Sequence, residues 1–349
     1  MATKVLIISG GLTHERDVSV RSGRRVANIL TQAGYDVVIS DVDASLAGAI
    51  ESFSPDVVWP LVHGSIGEDG SLQSFLESVG VPFVGLVGGA GDARVEQADG
   101  EGAAGFRGAC DAGLGDAAAG DFPPAGRVEC AVGVGGFRVG SLLSLSRRMG
   151  VRRLVFRRRI TRRSLRRSMV DAFAYGQRLM VEQRIEGRDV AVSVVDLEGG
   201  PVALPPVEIA TDGGRYDYDA RYTTDEAVYF VPARLSSEAL ADLQAAAVEA
   251  HTTLGLRDLS VAWISCDDEG TCWFIDANVA PGMTDTSLLP QAADALEDSS
   301  FARLCADIVD FVAGGRVAAD RDAGGETGVG GTVSGEAVDV AADAPVEGE

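Results

Sequence analysis

Lysine is almost absent from this sequence of 349 residues: Lys4 is the only one, and arginine supplies the other positive charges. Cysteine is scarce as well. Cys110, Cys130, Cys266, Cys272 and Cys305 are odd in number and show no CxxC spacing. That argues against a disulfide framework or a zinc site and fits a reducing cytoplasm. No apolar run approaches the roughly 20 residues that cross a bilayer, so no membrane association is expected. The opening MATKVLIISGG lacks a cleavable signal pattern and reads as a strand entering a turn. No internal repeat is evident. With 52 acidic against 30 basic residues, the formal net charge is −22. Such a charge disfavours nucleic acid and anionic membranes as partners.

What is present is a hydrophobic content of 46% over a length that suits two or three domains. Residues 4–9 read as a buried strand, followed by a Gly-rich turn and a helix ending at Gly34. YDVVISDVD and DVVWPLV read as strands, LQSFLESVG as a short amphipathic helix, and VPFVGL as a buried strand. Strand and helix alternate, which predicts α/β structure around a parallel sheet. From about Gly88 to Arg163 the chain turns rich in Gly, Ala and Arg and keeps neither a helical nor a strand period. Residues 89–168 hold 15 of the 30 basic residues and 8 of the 52 acidic ones. Order returns near Leu165 with a helix and a strand over SMVDAFAYGQRLMVEQRI. DVAVSVVDL, PVALPPVEI, AVYFVPA and TCWFIDANV read as strands; SSEALADLQAAAVEAHTTLG, SLLPQAADAL and SFARLCADIVDFVAG read as helices. Beyond Gly314 the composition predicts a disordered acidic tail over residues 315–349.

Four stretches carry chemistry. In GGLTHERDVS the glycines permit close backbone approach, and Glu15 suits either an ammonium ligand or a solvated helix start. In HGSIGEDGSLQ, His63 follows an apolar strand, where α/β sheets place ligand residues. A core histidine satisfied by hydrogen bonds is the equal alternative. YDYDARYT, residues 216–223, reads as an anion-holding lid or an ordinary surface loop. In FIDANVAPGMTDTSLLP, Asp276 and Asn278 stand two apart on a strand and project from one face. Oxygen donors at that spacing suit Mg²⁺. Gly282 lies in a rigid PGMT turn, and Ser287 opens a helix whose N–H groups can hold a carboxylate.

Taken in this order, the four stretches resemble the D-alanine–D-alanine ligases of the ATP-grasp superfamily, over residues 4–88 and about 165–312. The resemblance implies three α/β domains: a parallel-sheet domain over 1–88, a central ATP-binding domain over 89–178 and an ATP-grasp domain over 179–314. It implies ATP and Mg²⁺, with Mn²⁺ as a substitute, D-amino acids as substrates and a homodimer. It further implies that Glu15 grips the first D-alanine's ammonium group, with His63 near its carboxylate. Tyr222 would orient Glu15, and Arg221 would stand where the family has a lysine. Glu182 to Ile185 would form the adenine hinge, with Asp189 at the ribose. Gly282, Ser287 and Leu288 would receive the second D-alanine, and Asp276 and Asn278 the metal.

The same resemblance exposes departures. The family holds the ATP phosphates with two lysines, both belonging in the aperiodic segment, and this chain has no lysine after Lys4. Val261 and Trp263 stand where the family has an arginine and a Mg²⁺-binding aspartate; Asp267 or Asp268 could compensate only through a shift of strand register. We read residues 91–163 as an out-of-frame translation. One encoding of a family-like phosphate loop, PLVVKPAHGGSALGV, read one base later gives LLSLSRRMGVRRLVF, which is Leu142 to Phe156. A nucleic-acid patch is the weaker reading of this basic run, because the aromatics of a stacking surface are missing. The resemblance therefore implies ATP-dependent ligation of two D-alanines through an acyl phosphate, with negligible activity expected of this chain as it stands; the alternative is a non-catalytic ATP-grasp relative or a decayed gene product.

Overall fold

The computed structural model describes residues 2–13, 15–86, 127–128, 143–147, 153–155, 179–183, 187–211, 227–267 and 270–314. The first 86 residues form a three-stranded parallel sheet: β1 (Lys4–Ile8), β2 (Asp36–Ser40) and β3 (Val57–Pro60), in the order β2-β1-β3. Alternation along β1 sets the two faces. Val5 and Ile7 join α1 (Arg16–Gln32) in one core, while Leu6 and Ile8 join α2 (Leu46–Phe53) in another. Two short helices follow, α3 (Ser65–Glu68) and α4 (Ser71–Val79). Residues 81–86, expected as a strand, contribute a single parallel bridge between Phe83 and Val58. Gly85, at φ +107°, turns the chain away at once. Its N–H donates to Asp258 Oδ2 at 2.6 Å and its carbonyl accepts from Arg257 Nε at 2.8 Å.

A second, antiparallel sheet joins β4 (Arg127–Val128), β5 (Leu143–Arg147), β6 (Arg153–Val155) and β7 (Leu179–Gln183) in the order β4-β7-β5-β6. Three of these strands lie inside residues 91–163, where the sequence offers no periodic element. β7 pairs with β4 and β5, so the central sheet extends past residue 178. The helix expected just before β7 and the tail 315–349 lie outside the described residues.

The third sheet contains β8 (Gly187–Leu197), β9 (Gly200–Ala203), β10 (Val207–Thr211), β11 (Ala227–Phe230), β12 (Leu259–Asp267) and β13 (Cys272–Asn278). Its order is β11-β10-β8-β12-β13, with β9 also on β8, and all its pairings are antiparallel. PVALPPVEI is two strands rather than one, because Pro205 and Pro206 have no N–H for a ladder. One face packs on α5 (Ser237–Thr253), whose N-cap Ser236 accepts from Ala239 N. The other packs on α6 (Leu288–Asp294) and α7 (Phe301–Gly314), in the core that also holds Val5, Ile7 and Trp59. Residues of the first and third sheets thus share one hydrophobic interior.

Cys266 and Cys272 face each other across β12 and β13 and are joined by a disulfide. This one bond is not expected from a cysteine pattern that argues against a disulfide framework. A pairing across a hairpin needs no CxxC spacing, only directly opposed positions.

Candidate active site between the parallel and antiparallel sheets

In the order β2-β1-β3 the chain leaves β1 toward opposite sides, so the crevice beyond the carboxyl ends of β1 and β3 is the switch point where such sheets bind ligands. Two loops line it. The first, residues 9–15, turns through Gly10 and Gly11 at φ +123° and +88°; the N–H of Gly11 donates to Asp41 Oδ1 at 2.8 Å. It ends at Glu15, the N-cap of α1, which is buried. The second, residues 61–70, begins with His63. Thr13 Oγ1 donates to the His63 carbonyl at 2.9 Å and joins the loops.

His63 is 3% exposed and both ring nitrogens face protein groups. Nδ1 lies 3.0 Å from the Ala280 carbonyl, and Nε2 lies 3.5 Å from Ser22 Oγ, at the outer limit of a hydrogen bond. Ser22 Oγ also accepts from Met283 N at 3.0 Å, which leaves its own proton for Nε2. One tautomer satisfies the network: Nδ1–H donates to Ala280, and Nε2 accepts from Ser22. Burial pushes the imidazole pKa down to about 4, against the smaller opposing effect of the Ala280 carbonyl. His63 is therefore neutral near pH 7.

Through this network the crevice meets the loop from residues 280 to 287. Arg25, one turn beyond Ser22 on α1, donates to the carbonyls of Met283 (3.2 Å) and Thr284 (2.8 Å). It pairs with Asp285 at 3.1 Å and lies 4.7 Å from the Phe301 ring centroid. Ser287 stands at the N-cap position of α6 without bonding the helix through its side chain; its Oγ accepts from Thr284 N at 3.0 Å. Gly282 packs so closely on Ser287 that a Cβ there would sit 2.8 Å from Oγ. Leu288 is buried in the core, so only its backbone can meet a ligand. Sequence reading missed Ser22 and Arg25, whose partners lie more than 250 residues away.

Further candidate residues lie on the third sheet. Leu259, Val261 and Trp263 of β12 point toward α6 and α7, while Ala262, Ile264 and Cys266 point toward α5. On β13 the alternation is broken. Trp263 pairs with Asp276 but Ile264 pairs with Phe274, so Ile275 is an inserted bulge residue. Cys272 and Phe274 consequently pack toward α5, and Asp276 and Asn278 lie on the face of Trp263 and Val261. Asp189 of β8 shares that face, directly opposite Ser265.

The register shift does not bring Asp267 to the metal-binding position. Asp267 lies four residues from Trp263, about 14 Å along the strand at ~3.4 Å per residue. Its carboxylate accepts from Thr271 N at 2.8 Å and Trp273 Nε1 at 2.9 Å. Val261 is a core residue opposite Asn278. Among the described residues no three His, Cys, Asp or Glu side chains cluster as a metal site. Asp276 and Asn278 offer one carboxylate and one amide, with an indole opposite the carboxylate. By themselves these residues do not fit a protein-held Mg²⁺. Tyr222, Arg221 and Ile185 lie outside the described residues, as does Asp268; Glu182 is placed by its backbone on β7, opposite Ser144.

A parallel sheet with a switch-point crevice, a small antiparallel sheet and a larger antiparallel sheet make up an ATP-grasp architecture. Two crystal structures of the D-alanine–D-alanine ligase of Bacillus anthracis share this fold. The one complexed with ATP has a TM-score of 0.69 at 21% identity, and the other 0.70 at 20%; each match covers 93% of this chain and 100% of the other. The D-alanine–D-alanine ligase C-terminal domain family matches residues 157–310, and its N-terminal counterpart matches residues 45–86. The ligase of Magnetococcus marinus is 33% identical over 308 residues, covering 84% of this chain and 92% of the relative. That of Anaeromyxobacter sp. strain K is 33% identical over 326 residues, covering 89% and 97%. The chain belongs to the D-alanine–D-alanine ligase family.

Proposed function

We propose that this fold serves the ATP-dependent joining of two D-alanine molecules. ATP transfers its terminal phosphoryl group to one carboxylate and leaves as ADP. The amine of the second amino acid attacks the acyl phosphate, loses a proton and displaces inorganic phosphate. The observation that carries this reading is the His63 bridge. It ties the loop that holds His63 to the Gly282–Ser287 loop, which supports one pocket for the two amino acids that the family resemblance implies.

In this reading Glu15 holds the ammonium group of the first D-alanine. His63 shapes the pocket wall and keeps its loops together. Ser287 and the Leu288 N–H receive the carboxylate of the second. Tyr222 and Arg221 orient and cover the first site, Glu182 and Ile185 meet adenine, and Asp189 meets the ribose. Asp276 and Asn278 would contribute to a Mg²⁺ or Mn²⁺ held mainly by nucleotide phosphates; we derive no step through that ion.

A second reading, a relative that binds but does not turn over, has its own support. The one lysine is committed elsewhere: Lys4 Nζ donates to the Phe53 carbonyl at 3.0 Å, at the start of β1 and away from the crevice. Trp263 and Val261 occupy the wall beside Asp276 and Asn278. We therefore expect D-alanine to raise the melting temperature of the protein while D-alanine-dependent ADP release stays at background. Sustained ADP release with D-Ala–D-Ala formation would establish catalysis by this chain. Absence of both turnover and any D-alanine-induced shift would remove the amino-acid pocket from the account.

A further inference from the structure

Cys266 and Cys272 occupy the last position of β12 but one and the first of β13. Asp267 N donates to Thr271 O at 2.9 Å immediately beyond them, so their own pair falls in the non-hydrogen-bonded class, where cross-strand side chains come closest. Their Cα atoms are 4.0 Å apart. Both lie on the side of the sheet that faces α5, away from the candidate site; Cys266 is 3% exposed and Cys272 is half-buried. Cys305 stands apart as a free thiol. It is buried on α7, and burial pushes its thiol up to about 12.

We propose that Cys266 and Cys272 form a reversible thiol–disulfide site that exchanges with low-molecular-weight disulfides and enters through Cys272. The Cys272 thiolate attacks one sulfur of a small disulfide R–S–S–R, forming a mixed disulfide and releasing one thiolate, RS⁻. The Cys266 thiol then loses its proton to solvent and attacks the Cys272 sulfur. The protein disulfide closes and the second RS⁻ leaves. The two protein thiols are oxidised and the small disulfide is reduced to two thiols. Order of attack follows exposure, because a small disulfide reaches the half-buried sulfur and not the buried one. Closure pins β12 to β13 on the hairpin side of the Ile275 bulge, whose parity places Asp276 and Asn278. The inference stands on this hairpin alone and does not depend on the ligase reading.

The full-length protein tests it directly. Trypsin releases residues 258–303 as one peptide that holds both cysteines and no other. The protein is reduced, exposed to oxidised glutathione, then denatured and alkylated. The expected peptide is lighter than its reduced form by two hydrogen atoms and carries no alkyl group; doubly alkylated peptide would overturn the proposal. In Cys266→Ser the glutathione adduct should persist on Cys272. In folded Cys272→Ser, Cys266 should remain unmodified, and equal labelling of the two variants would overturn entry through Cys272. A reductant should lower the melting temperature of the oxidised wild type by roughly 5 °C and leave Cys266→Ser unmoved. An identical shift in both would show that the effect lies elsewhere.

Discussion

At the residue scale His63 shows how burial assigns a role. The motif leaves a ligand histidine and a satisfied core histidine equally open, and the structure places both ring nitrogens against protein groups. Its folded pKa lies below the unfolded value of about 6.5. Both states are neutral at pH 8, so stability is full there. As pH falls through 6.5 the unfolded chain takes up a proton that the folded one refuses, and stability is lost until about pH 4. At ~1.4 kcal/mol per unit the loss is about 2 kcal/mol by pH 5 and about 3 kcal/mol by pH 4. Urea unfolding of the wild type and His63→Gln at pH 8 and pH 5 measures it, and the variant should lack this part of the acid sensitivity. Gly67 is a second such position. A Cβ there would stand 1.8 Å from the Val62 carbonyl oxygen, a backbone atom that cannot rotate away. Gly67→Ala should cost about 3 kcal/mol or more, read as a lowered urea midpoint.

At the element scale the β13 bulge decides which face carries Asp276 and Asn278. Two-residue spacing correctly predicts that they share a face but not which one, because the parity is set by Ile275 and its partner strand. Deleting Ile275 should remove the bulge while Phe274 stays opposite Ile264 and Asp276 opposite Trp263, so each side chain keeps its face. No carboxylate is driven into the packed face of α5, and a stability loss of only about 1 kcal/mol is expected by chemical denaturation. α1 makes the complementary argument from its buried face. Arg25 gathers the Met283 and Thr284 carbonyls, the Asp285 carboxylate and the Phe301 ring. Arg25→Ala should free the Gly282–Ser287 loop. Faster amide exchange at residues 282–287, with β1 unchanged, is the expected signature.

At the scale of the whole molecule, charge and gene structure give the predictions. A net charge of −22 repels itself over distances that salt screens. Raising NaCl from about 0.01 M to about 1 M shortens the Debye length from ~30 Å to ~3 Å, so the melting temperature should rise across that range. The reading of residues 91–163 as out of frame predicts that resequencing the codons for residues 85–170 finds three missing or extra bases. Confirmation of the present text would mean that the arginine-rich run is encoded as it stands.

Much of this protein was legible in the residues alone. The alternation of strands and helices in the first 86 residues, the helix from Ser237, and the family behind GGLTHERDVS, HGSIGEDGSLQ and PGMTDTSLLP are local or ordered patterns. Periodicity and motif order survive in one dimension. The contacts that unite the site do not. Ser22 and Arg25 reach the Met283 loop from more than 250 residues away, Pro205 and Pro206 divide what reads as one strand, and Cys266 finds Cys272 through a register. Each depends on which surfaces the hydrophobic interior brings together, and only the tertiary structure could decide that.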